Sequence, residues 1–287
     1  MTDSISVIIP TYNSASVIAN CLESLRSQSL MPVDVIVSDG GSTDATVEIA
    51  KALGATIVQA SANRSAQRNA GAKLALGEFL LFIDSDMRLS PNVLKECVSS
   101  FRASDAALVI PEVDIGESFW ARVRGFERTF YETAWWLQAA RCYRRTQFME
   151  VLGFDVGLIG PEDWDLDERI RIFGDVHRIK AYIEHDEGRA SFRTLMTKKS
   201  HYTDSFEQFQ QRHPDRAALC LSARRRIRLI VAQPAKIIRC PVLAGGLLWL
   251  GALEVLISRG TYQWKSSSIL ERPFDPSLNP IMDSDRG

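Results

Sequence analysis

The stretch Phe79-Leu80-Leu81-Phe82-Ile83-Asp84-Ser85-Asp86 constrains this chain more than any other. Five consecutive large apolar residues suit a strand covered on both faces, at the centre of a sheet with layers above and below. The run ends abruptly in two aspartates. Side chains alternate along a strand, so Asp84 and Asp86 are expected to point the same way from its carboxyl end. In an open α/β sheet ligands bind at that end, and two carboxylates there can hold a hard divalent cation through oxygen. An Asp-x-Asp also arises where a strand merely runs into an acidic turn, so its company decides.

The flanking sequence alternates strand and helix. Ile5–Ile9 is predicted as a strand stopped by Pro10, and Asn13 or Ser14 can cap a helix whose apolar face is Val17, Ile18, Cys21, Leu22 and Leu25. Val33–Val37 is the next strand, ending at Ser38-Asp39-Gly40-Gly41. Ser42 through Asp44 offers caps for a helix through Val47, Ala50 and Leu53 that Gly54 stops. Ala55–Val58 reads as a third strand, Ser65–Leu76 as a helix closed by Gly77, and Phe79–Ile83 as the fourth strand. Strands separated by helices of this length imply an α/β fold with a doubly wound, mostly parallel sheet and helices on both faces.

Beyond Pro91 the spacing predicts a helix over Val93–Phe101, a strand at Ala107–Ile110 and another over Val176–Ile183. Phe119–Ala140 reads as one aromatic-rich helix, either a core or subunit-contact element or a surface for acceptor or membrane. Glu162–Phe173 reads as a helix opened by Pro161 and closed by Gly174. From Arg224 the composition changes: Arg224, Arg225, Arg226, Arg228, Lys236 and Arg239 precede and flank the apolar run Val242–Ile257. That run is short for a membrane span of ~20 residues. It suits an amphipathic element lying in a membrane interface, or else a buried C-terminal helix.

A net charge of −1 gives no sign of a nucleic-acid partner. Five scattered cysteines without a Cys-x-x-Cys pair fit a reducing compartment rather than a disulfide framework. With no signal peptide read before the first strand, the expected location is cytoplasmic, extending to the inner face of the cell membrane.

Four motifs stand in a telling order: Ser6-Val7-Ile8-Ile9-Pro10-Thr11-Tyr12-Asn13, Ser38-Asp39-Gly40-Gly41-Ser42-Thr43-Asp44, Asp84-Ser85-Asp86, and Gly160-Pro161-Glu162-Asp163-Trp164-Asp165-Leu166. Together they resemble a family 2 glycosyltransferase of the GT-A fold over roughly residues 5–200. The order of the motifs carries the resemblance.

The resemblance implies an inverting enzyme that uses a nucleoside diphosphate sugar, with UDP favoured, and a hydroxyl acceptor, a saccharide or a lipid-linked saccharide. It sets the nucleotide against Pro10, Thr11, Tyr12, Asn13, Asp39 and Gly40, with Asp39 accepting from the base N–H or, in the plainer reading, capping its turn. Asp44 is read as a helix cap, not a catalytic group. Arg68, chosen over Arg64, pairs with phosphate or with an acidic strand end. Asp84 meets the ribose or reaches the metal through water, Ser85 stands between, and Asp86 coordinates Mn²⁺ or Mg²⁺, with His185 completing the site. Asp163 is the implied general base and Glu162 helps to hold the acceptor. Lys199 and Tyr202 fall in a segment that closes over the pyrophosphate or forms a solvated helix face. Asp165 and Arg169, four apart, read as a helix-surface pair.

The expected layout is a catalytic domain over 1–220, with a nucleotide-sugar half (1–110) and an acceptor half (111–220). A basic and apolar helical segment over 221–265 and an irregular tail over 266–287 follow, and a homo-oligomer is compatible with the aromatic segment. Three rivals stand beside this reading. A polyprenyl-phosphate sugar synthase would need no base, because its acceptor is already ionised. A sugar nucleotidyltransferase would need a Gly-rich phosphate loop after the first strand, where Pro10-Thr11-Tyr12-Asn13 stands. A non-enzymatic binding module would leave the acidic motifs idle.

Overall fold

The computed structural model describes residues 4–186, 188 and 203–261. Its first half alternates as the sequence predicts: β1 (Ile5–Thr11), α1 (Ile18–Arg26), β2 (Asp34–Asp39), α2 (Thr46–Ala52), β3 (Thr56–Gln59), α3 (Arg64–Leu74) and β4 (Phe79–Phe82). There follow β5 (Met87–Leu89), α4 (Val93–Ser100), β6 (Asp105–Val109), β7 (Glu112–Ile115), α5 (Phe119–Thr129), β8 (Cys142–Arg144), α6 (Arg145–Glu150), α7 (Glu162–Ile170), β9 (Asp175–Arg178) and β10 (Ile183–Asp186). The C-terminal helices are α8 (Thr203–Arg212), α9 (Pro214–Cys220), α10 (Ala223–Val231), α11 (Pro234–Arg239) and α12 (Pro241–Thr261).

Among the described residues, seven strands form one sheet in the order β3-β2-β1-β4-β8-β6-β9, and β5-β10-β7 form a second. Only β8 runs against its neighbours in the large sheet, pairing antiparallel with β4 and β6. The alternation of β4 explains the apolar run that ends at the aspartates. Phe79, Leu81 and Ile83 face a core shared with α1 and α4, while Leu80 and Phe82 face a second core shared with α3, α6 and α7. Phe82 there meets Tyr143, Phe148 and Phe154 with ring centroids 5.1–6.0 Å apart. Such aromatic pairs contribute ~0.5–1.5 kcal/mol each beyond their buried area.

Helix α3 lies close on this sheet because of Gly71. A Cβ there would come 2.5 Å from Ile8 Cγ2 and 2.7 Å from Ser38 Oγ. Asn63 caps α3 by accepting from the Ala66 N–H at 2.9 Å. The helix ends at Ala75, before the expected Gly77.

Four other expectations are corrected. The predicted helix over 119–140 stops at Thr129 and resumes only as a 3₁₀ turn, Trp135–Leu137. The predicted strand over 176–183 is two strands in different sheets, β9 and β10, so His185 lies within a strand and not after one. Neither Asn13 nor Ser14 caps α1 through its side chain. The Asn13 Oδ1 accepts instead from the Thr43 N–H, with φ +50°. Asp165 and Arg169 do pair at 2.8 Å, but Asp165 is buried and also meets His213 Nε2 at 2.9 Å. Arg169 donates onward to the Val151 and Gly153 carbonyls, so this is an internal anchor of α7 and no surface pair.

The C-terminal helices do not stand apart. Ala244, Leu247 and Leu250 of α12 pack on Val123, Phe126 and Phe130 of α5 and the turn after it. Among the described residues no helix is long and apolar enough to cross a membrane.

Candidate active site

The carboxyl ends of β1, β2 and β4 meet at one edge of the sheet. Between β1 and β2, Asp39 organises the loops: its Oδ2 accepts from the Gly41 and Ser42 N–H groups at 3.0 and 2.9 Å, and its Oδ1 accepts from the Ser42 and Thr11 hydroxyls. Burial would raise this carboxyl, but the Ser42 and Gly41 donors hold it below the usual range. The left-handed φ of Gly41, +88°, lets the turn close. Pro10, Thr11 and Asp39 are buried, Gly40 is half-buried, and Tyr12 and Asn13 stand exposed. The turn-forming role of Asp39 is therefore the one its contacts display.

Arg68 lies beneath this edge, 1% exposed, its guanidinium 5.0 Å from the centre of the Phe154 ring. It donates through Nη2 to Asp84 Oδ1 at 2.9 Å and through Nη1 to Asp163 Oδ1 at 2.8 Å, with Glu162 Oε1 4.0 Å away. Of its two expected partners, the structure brings it to the acidic strand end. In this arrangement the guanidinium is engaged by carboxylates from the end of β4 and from α7.

From Asp84 the charges continue in alternation. Arg141, just before β8, lies 3.7 Å from Asp84 Oδ2 and donates to Glu112 Oε1 at 2.5 Å. Arg128 of α5 donates to Glu112 at 2.7 Å and to Asp114 at 2.8 Å. His185 Nδ1 lies 3.5 Å from Asp114 Oδ1, and its Nε2 lies 3.4 Å from Asp86 Oδ2. One chain of ion pairs thus runs from Asp163 to Asp86 through Arg68, Asp84, Arg141, Glu112, Arg128, Asp114 and His185. Asp84 and Asp86 are engaged by different partners, Arg68 on one side and His185 on the other, where the alternation rule had them paired.

The electrostatics follow from this order. Burial would raise the Asp84 carboxyl, yet Arg68 and Arg141 bring it well below the usual carboxylate range. Glu112 is lowered by Arg141 and Arg128 against the same burial. Burial pulls His185 down, but Asp114 and Asp86 push it up to about 10. Glu162 goes the other way, raised by burial and by neighbouring Asp163, while it accepts from the Gly160 N–H.

Asp163, at the start of α7 and 27% exposed, opens onto a cavity of about 450 Å³. Glu112, Arg128, Arg141, Gly160, Trp164 and Arg226 also line it. Ser85 donates to Ser14 Oγ at 2.9 Å on the opposite side of the Asp-Ser-Asp turn. Lys199 and Tyr202 lie outside the described residues.

Sequence reasoning missed Arg141, Glu112 and Asp114. Glu112-Val113-Asp114 repeats the acid-x-acid alternation of Asp84-Ser85-Asp86, and that pattern was available as a signal. Nothing local marks Arg141, because its role depends on β8 entering the sheet between β4 and β6.

The family model described as "Glycosyl transferase family 2" matches residues 6–154. YwdF of Bacillus subtilis (strain 168), described as an uncharacterized glycosyltransferase, is 28% identical over 222 residues, 71% of this chain and 83% of that protein. The chain spans less than a third of the length of the first curated relatives it matches. The mannosyltransferase PcManGT of Pyrobaculum calidifontis, solved with GDP-Man and Mn²⁺, superposes with a TM-score of 0.59 at 17% identity, covering 88% of this chain and 80% of that one. S. aureus TarS 1–349 with UDP-GlcNAc gives 0.55 at 21% identity, covering 82% and 73%. By family match, sheet order and the arrangement of its acidic motifs, the chain belongs to glycosyltransferase family 2 and has the GT-A fold.

Proposed function

We propose that this chain is a metal-dependent, inverting transferase that moves a sugar from a nucleoside diphosphate sugar, preferably UDP-linked, to an acceptor hydroxyl on a saccharide or lipid-linked saccharide. One observation carries the reading: Asp163 stands on the wall of the cavity while its Oδ1 is held by the guanidinium that also holds Asp84. The base is thereby fixed relative to the strand ends, where a donor binds in such folds. Asp163 takes the acceptor proton as the hydroxyl oxygen attacks the anomeric carbon, opposite the departing diphosphate. A positioned carboxylate of this kind contributes ~10²–10⁴-fold. A hydroxyl needs that base and an ionised lipid phosphate does not, which weighs against a polyprenyl-phosphate sugar synthase. Glu162 acts on the acceptor through Gly160, which lines the cavity.

The residues at Asp86 fit a divalent cation. Its Oδ1 is buried without a hydrogen-bond partner among the described residues, and His185 Nε2 lies 3.4 Å from its other oxygen. Among those residues no group of three or more acidic, His or Cys side chains could hold an ion by itself, so a cation here would need further oxygen ligands. Asp86 would hold Mn²⁺ or Mg²⁺ directly, with His185 beside it and Asp84 acting through water; a nitrogen ligand favours Mn²⁺. When bound, the ion supplies Lewis-acid stabilisation of the leaving diphosphate. Tyr12 and Asn13 offer the exposed surface for the nucleotide, above Pro10, Thr11, Asp39 and Gly40. TarS with UDP-GlcNAc and PcManGT with GDP-Man and Mn²⁺ support such a donor and ion.

A panel of radiolabelled nucleotide sugars with Mn²⁺ or Mg²⁺ tests the reading through release of the nucleoside diphosphate, and NMR of the product anomer tests inversion. No turnover of any donor, together with no thermal stabilisation by any nucleoside diphosphate, rejects it.

A further inference from the structure

The exposed faces of the three C-terminal helices share one composition. On α10 they carry Arg224, Ile227, Arg228 and Val231, spaced i, i+3, i+4, i+7 along a single stripe. On α11 they carry Ala235, Ile238 and Arg239, and on α12 Val242, Gly245, Leu248 and Trp249. Ile227 is 57% exposed, Ile238 77% and Leu248 74%. From Leu221 to Gly251 the chain holds Arg224, Arg225, Arg226, Arg228, Lys236 and Arg239 and no acid. The opposite side of α12 is occupied by α5: a Cβ at Gly246 would come 2.7 Å from Val123 and 2.9 Å from Phe119. On α12 the outward stripe is therefore the side that α5 leaves open. Trp249 completes it, its ring 5.9 Å from Trp120.

We infer that this stripe is a docking face for an anionic lipid surface, and that it delivers a lipid-anchored acceptor to the cavity of Asp163. Apolar side chains among cations without anions match the boundary between acyl chains and acidic headgroups, where tryptophan also concentrates. A second copy of the chain fits the face poorly, because a two-fold contact would set the same cations against each other. The link to the cavity is covalent and short. Arg226, on the same helix as Ile227 and Arg228, lines the cavity, and α5, on which α12 rests, contributes Arg128 to its wall. An acceptor embedded beside α10 would thus meet Asp163 without leaving the membrane surface. This step rests on the transferase reading, whereas the docking does not.

Full-length protein is sedimented at low salt with vesicles of phosphatidylcholine alone and of phosphatidylcholine with an equal part of phosphatidylglycerol, while donor turnover in solution is followed separately. The protein is expected to pellet with the anionic vesicles only and to be released by high salt. Arg224→Glu/Arg228→Glu should weaken the partition at least ~10-fold, and Ile227→Asp/Leu248→Asp should also reduce it, with donor turnover unchanged in both. A parent protein that stays in the supernatant at low salt overturns the inference. So does a concentration-dependent dimer in sedimentation velocity that Ile227→Asp abolishes, because the face then belongs to a second copy. Vesicle binding that persists where no donor is turned over supports the docking face and strikes the transferase reading alone.

Discussion

The two walls of the cleft are built by different means. At the ends of β1 and β2, Thr11, Asn13, Asp39, Ser42 and Thr43 hold one another through hydrogen bonds between two adjacent strand ends. On the other side, Asp163, Arg68, Asp84, Arg141, Glu112 and Arg128 come from separate elements and are joined by charge. The first wall is local, each hydrogen bond joining neighbouring loops of two paired strands. The second is a chain in which each carboxylate depends on a guanidinium from elsewhere, so removal of one member leaves its neighbours' charges uncompensated.

Asp86→Ala, at the outer end of the ion-pair chain, should have the largest effect on binding. It is expected to abolish cation-dependent UDP binding, read by calorimetry with and without Mn²⁺, while the thermal transition stays near that of the parent. Undiminished binding would put the ion elsewhere. Asp163→Asn should separate the walls most sharply, keeping donor affinity near normal while turnover falls at least ~10²-fold; a parallel loss of donor affinity would merge the two walls into one.

Arg68→Met tests the dependence on charge. It leaves Asp84 and Asp163 facing each other without their shared cation, and a loss of about 3 kcal/mol in denaturant unfolding is expected. A loss no larger than that of an ordinary surface substitution would mean that the chain of ion pairs contributes no stability.

The last test concerns Asp167, behind the second wall, and its effect appears only as the pH changes. Its carboxylate accepts from the Ala140 N–H and the Tyr143 hydroxyl, and burial outweighs Arg216 and Arg171 to raise it from 3.8 to about 6. A carboxyl raised on folding binds its proton more tightly in the native state. Its contribution is complete below about pH 3.8 and is lost as pH rises through about 6. Asp167→Asn should therefore gain stability relative to the parent as the pH climbs between these limits, with a slope of about 1.4 kcal/mol per pH. Melting temperatures of both proteins from pH 4 to pH 8 check this, and a constant difference would refute the raised carboxyl.

Legibility in the sequence follows the same division. The β1–β4 half was readable because each strand, helix and stop is encoded within a short window: Phe79–Ile83 by its continuous apolar run, α3 by Asn63 and its spacing. Asp163 stood out only through its place after Asp84-Ser85-Asp86 in the order of motifs, because a helix start alone selects carboxylates as caps. The length of α5 was not, since the aromatic residues after Thr129 read as helix in sequence but fill a turn and a packing surface. The division of 176–183 was hidden because two strands of different sheets follow each other with only a short connection. Arg68 was legible as a cation near the site but not as an enclosed one, because its cover, Phe154 and Glu162, arrives from far along the chain.

The position of β8 has a consequence for how the chain folds. In the folded sheet Cys142–Arg144 covers the side of β4 that Phe79, Leu80, Leu81 and Phe82 would otherwise leave unpaired, and an unpaired apolar edge invites pairing with another chain. No earlier segment can close that edge, because β6 joins the sheet only through β8. β8 thus seals an edge that the parallel half cannot close with its own strands. A fragment ending near residue 110 would leave that edge open to self-association.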